Sequence, residues 1–226
     1  MDDRAPGTPA AAGDASGEAS AFLRVAGAAA VGAGISGFLY SVSFIGLVLS
    51  GAAPEPGALV SSLALLLGAV LSIVAFGGLY RLLLETDAGF ALLTLLLGAT
   101  GAMGAAIHGG YDLALAIHPP AGELGAVADL PNPIDPRGLL TFGVSGLAVL
   151  LASWLIRRSG LLPRGIGLLG YLAGALLLVI YLGRLIILTP THPLVAAPAA
   201  VAGFLVSPAW YIWLGVALRR VRARIA

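Results

Sequence analysis

The chain has 226 residues, of which 59% are hydrophobic and only 10% charged, with a net charge of +1 and a mean hydropathy of +1.00. Soluble domains carry about 25% charged residues, so the composition belongs to the membrane class, and without a basic stripe interleaved with aromatics no nucleic-acid partner is expected. Cys is absent and all 12 basic residues are Arg, which excludes disulfides, thiolate chemistry and a lysine Schiff base to retinal or pyridoxal phosphate.

Residues 1–20, MDDRAPGTPAAAGDASGEAS, are rich in Ala, Gly, Pro and Ser without an apolar period, and are expected to form a disordered tail. The apolar run after Arg24 is span-length and reads as a retained first helix, not a cleaved secretory signal. Six apolar stretches, each near the roughly 20 residues that cross a bilayer, are expected at 25–49, 58–82, 88–117, 138–156, 165–188 and 196–218. They make residues 21–220 one all-α, polytopic membrane domain, a bundle of six transmembrane helices, followed by a basic C-terminus at 221–226. Pro54 and Pro56 break the chain after the first helix, and Pro163 and the Pro190/Pro193 pair bound the fifth. Pro208 lies inside the sixth, where its missing N–H predicts a kink.

Arginines give an orientation. Arg4, Arg24, Arg81, Arg157, Arg158, Arg164, Arg219, Arg220, Arg222 and Arg224 fall on one side, leaving Arg137 on the other and Arg184 within a span. Positive residues stay in the cytoplasm, so both termini are expected inside, as an even number of spans requires.

Gly and Ala fill the spans. Gly170/Gly174, Ala33/Gly37 and Gly101/Ala105 are small-xxx-small pairs, which let helix backbones approach closely, either within the bundle or on a self-association face. Residues 101–107 align with 174–180, and the two helices end at His118-Pro119 and His192-Pro193. That pattern is compatible with helices 2–3 and 4–5 being copies of one unit.

The chemistry concentrates in GAMGAAIHGGYDLALAIHPP, residues 101–120. His108 and Asp112 are four residues apart and therefore share one helix face. Ionisable groups in hydrocarbon are costly and usually face a protein interior or a water-filled cavity. The expected orientation puts His108, Tyr111 and Asp112 in the outer half of helix 3, Tyr181 and Arg184 at similar depth in helix 5, and Tyr40 in helix 1. Asp112 and Arg184 are the expected ion pair, either holding helices 3 and 5 together or lining a cavity where Arg184 meets a small anionic solute. The loop 119–137, with Glu123, Asp129, Asp135 and its prolines, is expected to overhang this cluster.

His108, Asp112, His118 and His192 also form a candidate metal set, which needs three or four of them to converge. No resident cofactor is expected. GxSxG, HExxH and a phosphate loop are missing from the sequence, so nothing argues for an enzyme.

The turn Ile156-Arg157-Arg158-Ser159-Gly160-Leu161-Leu162-Pro163-Arg164, with Gly165-Ile166-Gly167 after it and Leu79-Tyr80-Arg81-Leu82 at the end of helix 2, resembles an uncharacterised bacterial family of six-helix integral membrane proteins known as a domain of unknown function. The resemblance implies a six-helix bundle in a bacterial plasma membrane and carries over no reaction or ligand. The His108/Asp112 stretch lies outside that pattern. The expected function is a small-solute transporter or sensor with an outward-facing polar pocket. The alternatives are a structural or accessory subunit, oligomeric or bound to another membrane protein, and a metal- or haem-dependent membrane enzyme or redox protein.

Overall fold

The computed structural model describes residues 10–118, 135–187, 189 and 192–225. The described residues are helical throughout, without strands, and include six helices long and apolar enough to cross a membrane. Helix α1 is Ala10–Ser43 continued by a π-helical turn, Phe44–Leu49; α2 is Pro54–Leu83 and α3 is Ala88–Ile117. Helix α4 opens with a π-helical turn, Leu139–Val144, and continues as Ser145–Ser159; α5 is Arg164–Ile186. Helix α6 is Pro193–Val201, a π-helical turn Ala202–Val206, and Ser207–Ile225.

The helix ends follow from local chemistry. Pro54 and Pro56 sit in the first turn of α2, where a missing N–H costs nothing, and Arg81 occupies its last turn. The Asp87 carboxylate caps α3 by accepting from the Phe90 N–H at 3.2 Å. Gly160, at φ 66°, takes the left-handed position that ends α4. Helix α6 starts at Pro193 with His192 as its cap. The kink expected at Pro208 takes the form of the π-helical turn just before it, in which wider spacing absorbs the hydrogen bond that proline cannot make.

One expectation is corrected. Residues 10–20 are helical where a disordered tail was expected; five of the eleven are Ala, the strongest helix former, and a helix elongates at little cost once the adjoining span supplies the nucleus. Residues 1–9, the acidic stretch 119–134, position 188 at the expected end of helix 5, Pro190 and residue 226 lie outside the described residues.

Each helix packs on its neighbours in sequence, and α6 returns to α1, closing a ring. Alternating chain direction gives the ring two ends. Arg24, Arg81, Arg157, Arg158, Arg164 and Arg219 gather at one, and Glu55, Asp112 and Asp135 lie toward the other.

The dry core occupies the arginine-rich half, where Phe76, Leu79, Leu155, Ile166, Trp210 and Leu214 are among its buried members. Small residues bring the backbones together there. A Cβ on Gly215 would strike the Gly27 carbonyl, one on Gly34 would come within 2.8 Å of the Pro208 carbonyl, and one on Gly78 would strike the Ala26 side chain. The Gly170/Gly174 pair is used inside the bundle against α4, Gly170 facing Ser153 and Gly174 facing Gly146 and Leu150. At the arginine-rich rim, Arg158 lies 5.2 Å from the Trp154 ring centroid and 3.5 Å from Asp87.

Candidate functional site

The polar cluster is assembled at the arginine-poor end from α3 and the turn that leads into α4. The i, i+4 spacing places His108 Nε2 3.2 Å from Asp112 Oδ2. On its other side, His108 Nδ1 stands 3.9 Å from Asp135 Oδ2, beyond direct hydrogen-bond length. An imidazole between two carboxylates can hold or pass a proton, one nitrogen toward each.

Asp135 is a member of the site that the sequence reading left in the loop. It is 1% exposed, and its carboxylate accepts from the Leu140 N–H at 2.8 Å and the Thr141 N–H at 2.9 Å. It therefore caps the π-helical start of α4, where backbone donors have no partner of their own. The turn is held by the Gly138 N–H donating to the Asp135 carbonyl at 2.9 Å and passes through two left-handed residues, Arg137 (φ 59°) and Gly138 (φ 77°). Burial pushes the Asp135 carboxyl up. The His108 imidazole, the Thr141 hydroxyl and the backbone N–H groups of Leu140 and Thr141 outweigh it and hold the carboxyl down at about 2. The sequence signal was Asp-Pro-x-Gly just ahead of an apolar run, a turn-and-cap pattern.

Two cavities open beside this cluster, separated by Tyr40 and Phe44, whose rings stack with centroids 5.5 Å apart. The smaller, about 70 Å³, is lined by Asp112, Glu55 and Ser61; a water needs only about 10–15 Å³ by this measure. The larger, about 220 Å³, reaches Arg184, Thr141, Ser41 and Ser207, with Leu177, Ile180 and Ala199 among its apolar walls. Arg184 is the one charged group on its described lining. The Arg184 guanidinium lies 5.4 Å from the Phe142 ring centroid, close enough for a cation–π contact. The Ser207 hydroxyl is buried and has no hydrogen-bond partner among the described residues.

All three π-helical turns contribute to the wall of this larger cavity: Phe44, Ile45 and Leu49 from α1, Thr141 and Phe142 from α4, and Ala202 and Gly203 from α6. Such turns widen a helix locally and recur at functional sites.

The other expected site residues fall as follows. Tyr40 stands within electrostatic reach of both Arg184 and Asp112. Tyr181 packs across Gly143 of α4, where an added Cβ would meet its ring at 3.2 Å. Tyr111, 37% exposed, is on the outer surface of α3 and lines neither cavity. His118 follows α3 at the surface, and exposed His192 accepts from the Leu194 N–H through Nδ1 at 3.3 Å. Both belong to helix ends. The candidate metal set does not form: among the described residues no group of three or more His, Asp or Glu is placed to hold a metal ion.

No family model, no curated protein and no solved structure matches this chain. Its function is therefore argued from its own residues.

Proposed function

We propose that the protein is a multi-pass membrane protein that binds a small anion in the 220 Å³ cavity, acting as a transporter or sensor. The carrying observation is a mostly apolar cavity with one charged group, Arg184, on its described lining. A concave apolar space with few convergent polar groups is the usual form of a ligand site. A guanidinium there, weakly hydrated and always charged, favours an anionic partner. The distribution of arginines supports both termini in the cytoplasm, with the cavity end facing outward. His108, between Asp112 and Asp135, supplies a proton-carrying group at the same end.

The test is calorimetric titration of the detergent-solubilised protein with benzoate and octanoate, against benzamide and octylammonium. The reading predicts saturable binding of the anions alone, weakened at least tenfold by Arg184→Gln. Equal binding of octylammonium, or no saturable binding of either anion, contradicts it.

A further inference from the structure

The larger cavity has a shape and a loosely joined side that narrow its occupant further. Its lining runs from Gly37 to Leu49 on α1 and from Val195 to Pro208 on α6. At 1.5 Å per residue, the α1 wall alone covers roughly 18 Å of depth. A compact cavity of about 150 Å³ already takes benzene, so 220 Å³ drawn out over such a depth is narrow, a space for a chain more than for a ring.

The polar groups are unevenly placed along it. Arg184, the one charged group of the described lining, and Thr141 stand toward the arginine-poor end, and Leu177, Ala202 and Pro208 continue inward with only the hydroxyls of Tyr40, Ser41 and Ser207 among them.

The ring of helices is least tightly joined beside this slot. In the arginine-rich half, α1 and α6 touch backbone to backbone, and their contact continues to Gly203, where an added Cβ would strike the Ser41 hydroxyl. Beyond that level Phe44–Leu49 packs on α2, Pro193–Val201 packs on α5, and the two segments make no extended contact with each other. This loosely joined seam lies between adjacent helices of the ring, on the side that faces lipid in a membrane. Glu55 and Asp112 line the smaller cavity at the end face, so an anion arriving sideways from the bilayer would stay clear of those like charges.

We infer that the occupant is an amphiphile with one anionic head group and an unbranched hydrocarbon chain, the head on Arg184 and the chain along the slot, taken up between α1 and α6. The inference rests on the cavity being an anion site and adds the ligand's shape and its route. A free fatty acid and an acidic phospholipid share this chemistry.

The experiment follows thermal unfolding in dodecyl maltoside with acetate, butyrate, octanoate, decanoate and decanol. Stabilisation should grow with chain length, to roughly 5 °C or more for decanoate at 100 times its Kd. Decanol should give little, and Arg184→Gln should lose the effect of decanoate. Ala199→Trp, which adds bulk to the slot wall, should shorten the best chain while the unliganded protein unfolds normally. Benzoate or acetate matching decanoate overturns the inference and leaves the anion site standing; no stabilisation by an anion of any length overturns both.

Native mass spectrometry from phosphatidylglycerol/phosphatidylcholine nanodiscs identifies the source. Phosphatidylglycerol retained by the protein and lost in Arg184→Gln supports a phospholipid, whereas decanoate binding without it supports a fatty acid. Equal retention of phosphatidylcholine contradicts selection of an anionic head.

Discussion

The two halves of the bundle are built from the same amino acids, and one is packed throughout while the other holds the cavities. At the arginine-rich end, glycines and alanines bring backbones into contact, as where a Cβ on Gly170 would strike Ser153 and Trp210. At the arginine-poor end the glycines divide: a Cβ on Gly109 would come within 2.8 Å of the Leu66 backbone N, whereas one on Gly37, which lines the larger cavity, meets nothing within 4 Å. The difference lies in backbone regularity. Among the described residues three helices carry π-helical turns in the hollow half, and each turn lines the larger cavity, where local widening of the helix makes room. A small residue is therefore a licence for close packing, and the backbone decides whether it is used.

The sharpest way to break this comparison is the same substitution in both halves. Gly215→Leu drives a side chain into the α1 backbone at Gly27 and should cost roughly 3 kcal/mol or more. Gly37→Leu should change stability by less than about 0.5 kcal/mol while weakening ligand binding, because Gly37 lines the cavity. Thermal unfolding in detergent compares them directly, and similar losses for both would erase the distinction between the halves.

Asp135→Asn is next in size. With its folded carboxyl held down at about 2 against an ordinary value of 3.8, Asp135 contributes on the order of 2 kcal/mol at neutral pH. Because the folded value is depressed, that contribution is complete above the ordinary carboxylate range. It is lost as pH falls from about 4 through about 2. Stability against pH should show this acid limb in the native chain and a flatter one in Asp135→Asn; identical limbs would remove Asp135 from the cap.

The smallest expected effect is at Arg137, the one non-glycine residue with positive φ among those described. Left-handed backbone costs an L-residue about 1–2 kcal/mol, partly offset by the greater chain entropy of glycine when unfolded. Arg137→Gly should therefore raise stability by no more than about 1 kcal/mol, read as a small rise in Tm. A fall would show that the Arg137 side chain makes a contact worth more than the strain.

The six helices were legible because a span announces itself by length and apolarity, which need no tertiary information. The segment 10–20 was misread because composition without periodicity does not register helix propagated from a neighbour. The His108–Asp112 pair was legible from spacing along one helix. Tyr111 was not, because sequence gives a residue's angular position on its own helix but not how that helix is rotated in the bundle. Pro208 marked the irregular turn in α6, whereas the π-helical turns of α1 and α4 carry no proline and depend on what packs beside them. Asp135 was visible as an acid in a loop. Its place beside His108 depends on the turn through Arg137 and Gly138.

The most direct measurement of the hollow half uses the absence of native Cys. Ala199 lines the cavity and is half-buried, whereas Ser153 lies fully buried in the dry half. In single-cysteine variants Ala199→Cys and Ser153→Cys, reaction with a small methanethiosulfonate reagent reports which site a solute can reach. The account predicts that Ala199→Cys is modified, and more slowly when decanoate is present, while Ser153→Cys stays inert under the same conditions. Equal inertness of the two, or equal reactivity, would contradict a bundle with one packed half and one open one.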